Sequence, residues 1–302
     1  MTAKARCYLD LICNRATIAH FTKEKFNAMP IVTPSIAEQK QITAYLDRRC
    51  ATIDALIANQ QQQIDKLKQY KQAVITEAVT RGLDPSVRMK DSGVEWIGEV
   101  PEHWTVSRIG LHFEIILGKM LCNEQVNSTY SREKYFCAAD VHFEGLANNE
   151  YKSMWFSPEE KERYRVKKGD LLVVEGGAGA GGCAIVHEAS EPMYVQNSIM
   201  IVRSKSLMNV VYARYVIESL VKRGYIDLVC NKATIPHFTK DKLSNAPLPV
   251  LPEDEQTAII SYLDTQCAQI DALIALKQQK ADKLVQYKKS LIYEVVTGKR
   301  EV

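Results

Sequence analysis

Two long stretches without glycine or proline constrain the fold of this chain most. They run from Ala37 to Thr80 and from Asp254 to Thr297, and glutamine, lysine, alanine and leucine dominate both. Because glycine and proline interrupt helices, each stretch predicts one continuous helix of about 44 residues, roughly 66 Å long. A helix of that length needs a partner along most of its length to be stable in water.

Apolar residues in both stretches are spaced alternately by three and four, which is the heptad pattern of a coiled coil. Gln60, Lys71, Lys277 and Lys288 also fall on this seam and weaken it. We expect the two helices to pair antiparallel, because a globular segment separates them along the chain. Two independent helices on separate cores remain the alternative. The apolar seam residues are Leu46, Ile53, Ile57, Ile64, Leu67, Val74, Leu263, Ile270, Ile274, Ala281, Leu284, Leu291 and Val295.

The two stretches belong to a longer internal repeat. From position 8 to position 80 the chain matches positions 225 to 297 without a gap, at an offset of 217 residues, and about 40 of 73 positions are identical. The first copy contains the segment NRATIAHFTKEKF (Asn14–Phe26), and the second contains the similar segment NKATIPHFTKDKL (Asn231–Leu243). A period this long predicts a repeated domain with its connector. Two full units need roughly 430 residues, so we expect about 130 residues to be missing before Tyr8.

Prolines divide the rest of the chain. MPIVTPS (Met29–Ser35) and APLPVLPEDE (Ala246–Glu255) are typical of extended connectors that precede helices. Between the two helices, short strand-like runs separated by glycine and acidic turns predict a globular domain, so the predicted fold class is α+β. The predicted organisation is a remnant of a first globular domain at 1–35, a spacer helix at 36–82, a linker at 83–93, a complete globular domain at 94–252 and a second spacer helix at 253–302.

Composition bounds the function. The chain is 46% hydrophobic and 25% charged with a net charge of +3. It contains no apolar run long enough to span a bilayer and no signal-peptide pattern, so we predict a soluble, cytoplasmic protein with no membrane partner. Its eight cysteines include no C-x-x-C, which favours buried packing over metal or redox roles. This charge permits a nucleic-acid partner only if the basic residues cluster.

Three motifs resemble catalytic sites, but none has the sequence context that such a site needs. GGAGAGG (Gly176–Gly182) fits G-x-G-x-x-G, yet a strand follows it and no Gly-Lys-Ser/Thr closes it. It is a glycine-rich turn between strands, or a loop whose bare backbone approaches DNA. Asp170 and Glu175 lack the lysine of nuclease metal sites and are typical of a charge pair at strand ends. His20 and His237 lack a second ligand and are expected to be hydrogen-bonded within a turn. We therefore expect no enzyme activity, no metal and no cofactor.

Four segments together resemble the specificity subunit of type I restriction-modification systems, and the resemblance covers essentially the whole chain. They are GVEWIGEVPEHW (Gly93–Trp104), NKATIPHFTKDKL, LPEDEQTAIISYLD (Leu251–Asp264) and LVQYKKSLIYEVVTGK (Leu284–Lys299). In that family, two target recognition domains alternate with two helical regions that form an antiparallel coiled coil. The chain departs from the family pattern, because its first recognition domain is absent except for residues 1–35.

This resemblance implies the partners. Each recognition domain reads one half of a bipartite site in double-stranded DNA, while the helices set the spacing and dock two modification (methyltransferase) subunits. Restriction subunits join through the assembled complex. Methyl transfer with S-adenosylmethionine and cleavage with ATP belong to those partner subunits, which agrees with the absence of catalytic motifs here.

Polar loops of the domain at 94–252 contain the candidate DNA contacts. Side chains read base edges, whereas lysine, arginine and backbone amides hold phosphates. In the helices, Gln61, Gln62, Gln278 and Gln279 are candidates to face the modification subunits. The candidate DNA-binding residues are Lys119, Asn123, Asn127, Tyr130, Arg132, Lys134, Tyr135, Lys152, Gly177, Gly179, Asn197, Ser198 and Lys232.

Two functions of different classes remain open. The first is a DNA-recognition subunit with one active recognition domain, completed by a homodimer whose two heads read a symmetric site. The second is an interaction scaffold, or the product of a silent recombination cassette, that binds modification subunits without specific DNA recognition. Binding to selected against random DNA separates the two.

Overall fold

The computed structural model describes residues 22–29, 33–147, 150–188, 191–230 and 236–302. The helices of this part are α1 (Lys23–Asn27), α2 (Ile36–Arg81), α3 (Ile109–His112), α4 (Pro158–Tyr164), α5 (Val210–Lys222), α6 (Tyr225–Val229), α7 (Lys240–Asn245) and α8 (Glu253–Val296). The strands are β1 (Met89–Asp91), β2 (Glu99–Pro101), β3 (Thr105–Arg108), β4 (Phe113–Leu117), β5 (Ser131–Phe136), β6 (Val141–His142), β7 (Gly145–Leu146), β8 (Lys152–Phe156), β9 (Leu171–Val174), β10 (Cys183–Ile185), β11 (Tyr194–Val195), β12 (Ile199–Ser204) and β13 (Pro247–Val250).

The described residues divide into two compact units. The helical unit comprises the described residues up to Gln69 together with Ala268–Val302, and the globular unit comprises Tyr70–Cys267. None of the helices in the described ranges is both long enough and apolar enough to cross a membrane. The mixture of long helices and a strand-rich unit confirms the predicted α+β class.

In the helical unit, α2 and α8 run antiparallel, as predicted. Lys288 Nζ lies 2.7 and 2.6 Å from the two carboxylate oxygens of Asp54, and Lys277 Nζ donates a hydrogen bond to Gln63 Oε1. For two residues that face each other across this pair, the two residue numbers therefore add up to about 341. Two of the polar seam positions thus make cross-helix polar contacts.

Apolar contacts hold the same pair together. Ile53, Leu291 and Val295 form its buried cluster, flanked by half-buried apolar side chains. Gln60 is only 7% exposed although it is polar. The heptad residues named above are all buried or half-buried in the structure, because the alternating spacing of three and four keeps one face of each helix toward the other.

The globular unit is built on two sheets. A four-stranded antiparallel sheet has the order β10-β9-β12-β4, and a three-stranded sheet has the order β11-β5-β8 with β11 parallel to β5. In β9 all four side chains, and in β12 the first four, are buried, which explains their continuous apolar sequence. β13 pairs with β3, and the remaining strands form two-stranded ribbons.

The core of the globular unit includes the ends of both long helices. Ile75 and Val79 of α2 and Leu263 of α8 pack with Trp104 and Tyr212, all of them at most 1% exposed. The Tyr212 hydroxyl donates to the carbonyl of Val79 at 3.1 Å. The globular unit therefore extends into both predicted spacer helices.

Two local details refine the organisation of the globular unit. The segment 83–93, predicted as a linker, contains β1, which pairs antiparallel with β2. Between Val210 and Val229 the chain forms two helices and not one, because Gly224 adopts a left-handed conformation with φ of 87° and precedes α6. Glycine adopts that conformation without the steric cost that a Cβ would impose.

Candidate nucleic-acid interface

The glycine-rich loop after β9 is fixed against the repeated motif. Gly176 forms an isolated antiparallel bridge with His237, Gly177 N donates to the carbonyl of Pro236 at 3.2 Å, and Phe238 N donates to the carbonyl of Glu175 at 2.6 Å. A Cβ atom at Gly176 would lie 2.9 Å from His237 Nδ1, so only glycine fits there without displacing the ring.

The outer part of this loop presents bare backbone. Gly177 has φ of 91°, and a Cβ at Gly177 or Gly179 would meet no atom within 4 Å. Within the described ranges, the amides of Ala178 and Gly179 donate to no protein acceptor, whereas Ala180 N donates to the carbonyl of Gly177 at 3.1 Å. Free successive amides beside a left-handed glycine are the geometry that binds anions. This part of the loop can therefore hold a phosphate.

Two further segments are hydrogen-bonded in series to the glycine loop. Glu175 N donates to the carbonyl of Ser198 at 2.8 Å, and Asn197 N donates to the carbonyl of Lys119 at 2.8 Å. Lys119 N in turn donates to the carbonyl of Val195 at 3.0 Å. Backbone hydrogen bonds thus join four distant segments into one continuous edge. We call it the loop rim, which consists of residues 119–122, 196–198, 175–179 and 236–238.

The side chain of Lys119 points into the protein. It is 9% exposed, forms an ion pair with Glu160, and places Nζ 5.5 Å from the centroid of Tyr130 and 5.7 Å from that of Phe156. Lys119, predicted from sequence as a DNA contact, therefore contacts Glu160 and the ring of Tyr130, another predicted DNA contact.

The outward face of the three-stranded sheet carries exposed cations. Arg132 is exposed and lies opposite the half-buried Trp155 across the β5–β8 pair, and Lys134 lies opposite Ser153. Lys134 is also 2.7 Å from a carboxylate oxygen of Glu191, which partly neutralises it. Arg132 is therefore the more available phosphate ligand of the two cations.

The other sequence candidates fall into two groups. Tyr135 is 4% exposed and packs in a small core, and burial raises the pKa of its hydroxyl above the ordinary value. Asn127 Oδ1 accepts the backbone N–H of Thr129 within a turn, and Ser198 Oγ accepts the backbone N–H of Ala138, which links two distant segments. Asn123 and Lys152 are exposed and Asn197 is half-buried. Lys232 lies outside the described residues.

Two motifs that suggested chemistry have structural partners. Asp170 is 4% exposed and accepts Arg203 Nε and Nη2 at 2.8 Å each, while the amide of Lys167 donates to it at 2.7 Å. The carbonyl of His237, and not its ring, accepts a hydrogen bond from Lys242 Nζ at 2.7 Å. Across the described ranges, no three His, Cys, Asp or Glu side chains are grouped to hold a metal ion. His20 lies outside the described residues.

Sequence reasoning missed three exposed or half-exposed apolar residues in or beside the loop rim. Met120 is 75% exposed and Leu121 is 50% exposed at the start of the loop after β4, and Trp155 faces outward on β8. Successive side chains of a strand point to opposite faces, so a strand over KSMWF (Lys152–Phe156) places Trp155 and Met154 on opposite sides. Nothing local in the sequence distinguished Met120 and Leu121 from core residues.

Two solved structures share the fold. A chain from work on complex assembly and conformational transition of the type I R-M system superposes with a TM-score of 0.72 at 18% identity, covering 96% of this chain and 67% of that one. The crystal structure of the HsdS subunit from Thermoanaerobacter tengcongensis gives a TM-score of 0.52 at 16% identity, covering 98% and 67%. These likenesses establish the fold, which is the combination of a strand-rich unit with paired long helices.

Sequence comparison identifies the family. A family model described as type I restriction modification DNA specificity domain matches residues 101–286. That match covers more than half of the chain, and the chain belongs to this family.

Two curated relatives come from Methanocaldococcus jannaschii. The type I restriction enzyme MjaVIII specificity subunit is 25% identical over 299 residues, covering 94% of this chain and 65% of that protein. The putative type I restriction enzyme MjaX specificity subunit is 25% identical over 280 residues, covering 91% and 60%. This chain thus spans slightly less than two thirds of the length of either relative.

Proposed function

We propose that this chain recognises DNA sequence for a type I restriction-modification complex, with the globular unit binding one DNA half-site through the loop rim. The observation that carries the proposal is the convergence of four distant segments on one edge within a domain of a DNA-specificity family. That edge combines exposed backbone amides, which suit phosphates, with polar side chains that can reach base edges.

The proposed roles of the residues follow from their exposure. Asn123, Asn197 and the adjoining Lys152 are the side chains available to DNA, and Arg132 is available to a phosphate beside the rim. The amides after Gly177 are proposed to hold a further phosphate. Lys119, Asn127, Tyr130, Tyr135 and Ser198 are proposed to position the loops instead of contacting DNA. Lys232 stays a proposed phosphate contact.

The paired helices are proposed to dock modification subunits. Gln61, Gln62, Gln278 and Gln279 are exposed on the helical unit. Such side chains can donate and accept hydrogen bonds with a protein partner. Restriction subunits are proposed to join through the assembled complex. In this proposal the chain contributes recognition and spacing, and its partners contribute the methyl-transfer and cleavage chemistry.

A symmetric pair of chains is a further part of the proposal. The globular unit presents one loop rim, so reading two half-sites requires two such units. A twofold pair would read inverted half-sites, because symmetric readers impose their symmetry on the target. Light scattering of the complex tests this part, and one copy of the chain per complex at all concentrations contradicts it.

Selection of DNA from a random duplex library tests the main proposal. The chain is co-expressed with its modification subunits, and enriched duplexes are sequenced and rebound across a salt titration. Salt separates recognition from phosphate attraction, because nonspecific binding falls steeply with ionic strength. We expect a recurring half-site that stays preferred at higher salt. Co-purification of the subunits without any enriched sequence favours the scaffold function.

A further inference from the structure

The loop rim contains two consecutive exposed apolar residues, which form the tip of the segment 119–122. Met120 and Leu121 are 75% and 50% exposed, and Val126 in the same loop is 65% exposed. Single apolar side chains on a surface need no explanation. Met120 and Leu121 are unlike such single residues. They are consecutive, both have long side chains, and the backbone on either side of them is held by hydrogen bonds.

Backbone hydrogen bonds fix the tip at its two ends. On one side, Lys119 N donates to the carbonyl of Val195 and the carbonyl of Lys119 accepts from Asn197 N, at 3.0 and 2.8 Å. On the other side, the carbonyl of Cys122 accepts from Trp155 N at 2.9 Å. Only Met120 and Leu121 lie between these anchors, so the tip cannot fold back without breaking one of them.

The ion pair between the buried Lys119 and the half-buried Glu160 holds the Lys119 side chain toward the protein. Glu160 Oε2 accepts the backbone N–H of Ser157 at 2.8 Å, which holds the carboxylate in place at the start of α4. A partly buried ion pair contributes little net stability, because desolvation offsets its Coulomb attraction. Its contact keeps residue 119 facing the protein, while the neighbouring Met120 and Leu121 are exposed.

The surroundings of the tip favour DNA over a protein as its partner. Trp155, which anchors Cys122, lies opposite the exposed Arg132, and the adjoining rim leads to the bare amides after Gly177. Cations and free amides complement phosphates. A tip of two residues is also far smaller than the apolar centre of a stable protein interface.

We propose that Met120 and Leu121 form an apolar wedge that inserts at a base step of the DNA bound to the loop rim and unstacks it. Leucine and methionine are among the side chains that proteins insert between bases to kink a duplex. Insertion is easiest at flexible pyrimidine–purine steps, so the wedge adds preference for such a step without a hydrogen bond to any base. This proposal rests on the proposed function and assigns a specificity-determining pair within it.

The test uses the chain in complex with its modification subunits and the duplex that the unsubstituted chain enriches from a random library. The variant is Met120→Ala with Leu121→Ala, and the control is Leu207→Ala, which removes an apolar side chain that is 80% exposed elsewhere on the globular unit. Binding is measured by fluorescence anisotropy, and unstacking by 2-aminopurine fluorescence at each position in turn.

We expect the double variant to bind about tenfold more weakly, as loss of a buried leucine-sized contact implies, and to lose the 2-aminopurine signal at one step. A mismatch placed at that step should restore most of the affinity, because the cost of unstacking is then already met. Leu207→Ala should bind like the parent, and Leu121→Met should keep both affinity and signal.

Three results overturn the wedge. Unchanged binding by the double variant refutes it while leaving DNA recognition intact. If the double variant binds more weakly but the parent complex shows no unstacked position by 2-aminopurine fluorescence, then Met120 and Leu121 contact the DNA surface without inserting. Failure to enrich any duplex with the unsubstituted chain refutes the proposed function itself, and the wedge with it.

Discussion

Glu255 accepts a hydrogen bond from Trp104 Nε1 at 2.9 Å, and its other carboxylate oxygen lies 2.7 Å from His103 Nε2. Trp104 is fully buried, and a Cβ at Gly82 would lie 3.3 Å from its ring. Within the globular unit, this one carboxylate therefore joins the turn between β2 and β3 to the first turn of α8.

Replacing Glu255 with alanine should destabilise the globular unit. The buried indole N–H would lose its acceptor, which costs about 1–3 kcal/mol. Chemical denaturation monitored by tryptophan fluorescence measures the change. Glu253→Ala is the matched control, because Glu253 lies in the same first turn and is exposed. Equal stability of the two variants would contradict the assigned role of the hydrogen bond.

Asp170→Ala should be among the most destabilising substitutions in the four-stranded sheet. It leaves the guanidinium of Arg203, which is 20% exposed, without its carboxylate, and breaking a buried pair costs about 3–5 kcal/mol. Glu114→Ala is the control, since Glu114 lies opposite Arg203 on β4 but is exposed. Urea unfolding should show a much larger loss of unfolding free energy for Asp170→Ala than for Glu114→Ala. A smaller loss for Asp170→Ala would contradict a stabilising role of the Asp170–Arg203 ion pair.

The same glycine-to-alanine change should have different effects at two positions of the glycine loop. At Gly176 the new Cβ overlaps the ring of His237, so we expect a loss of about 1–3 kcal/mol in stability. At Gly179 the Cβ meets no protein atom, so thermal unfolding should be unchanged. DNA binding by Gly179→Ala should nevertheless weaken for all sequences alike, with the salt slope lower by about one. Unaltered DNA binding would exclude a phosphate contact there.

Glu218→Gln should stabilise the globular unit increasingly as pH rises. Burial raises the pKa of the Glu218 carboxyl above the ordinary value, although Arg214 at 3.2 Å, Lys71 and Lys222 lower it and Glu144 adds to the increase. Because the pKa of this carboxyl is higher in the folded chain than in the unfolded chain, protonation stabilises the fold. That stability is complete below the unfolded-state pKa near 4.3 and is lost as pH rises through the folded-state pKa. Glutamine resembles the protonated carboxyl, so the variant does not lose this stability as pH rises.

Melting temperatures of parent and Glu218→Gln chains between pH 4 and pH 8 check this expectation. The two should nearly coincide at pH 4 and diverge above it, with the variant more stable. A difference that is constant across this range would mean that the carboxyl does not titrate differently in the folded and unfolded chains.

Ile53→Ala should weaken the pairing of α2 and α8 in the helical unit. Ile53 is 5% exposed, so truncating it costs about 2–5 kcal/mol, whereas Leu56 is 45% exposed and Leu56→Ala should cost far less. Circular dichroism during thermal unfolding measures the helical signal of each variant. Similar melting of the two variants would place the seam on another face of α2.

The long helices were predictable because their signal is local. Spacing of three and four places Leu46, Ile53 and Ile57 on one face whatever the rest of the chain does. The strands β9 and β12 were predictable for a related reason, since short apolar runs bounded by turns are typical of buried strands. The packing of the helix ends was less predictable from sequence, because the contacts of Ile75 and Val79 with Trp104 depend on distant residues.

The loop rim was only partly predictable. Exposed positions such as Asn123 and Lys152 follow from the polarity of their segments. The inward orientation of Lys119 depends on Glu160, some forty residues later, and no local pattern contains that information. Proximity of the glycine loop to His237 is likewise a property of the fold, because the two are about sixty residues apart.

The antiparallel register of α2 and α8 has a consequence for their duplicated sequences. Facing positions total about 341 and the repeat offset is 217, so Gln62 and its copy Gln279 lie opposite each other at the midpoint. Each helix is therefore similar in sequence to its own partner. The copies differ beside that midpoint, where Ile64 corresponds to Ala281 and Gln60 to Lys277. Pairing unlike copies sets Gln60 against the small Ala281, whereas pairing two copies of α2 would set Gln60 against Ile64 twice. The pair of helices thus distinguishes its partner from its own copy by a few substitutions at its centre.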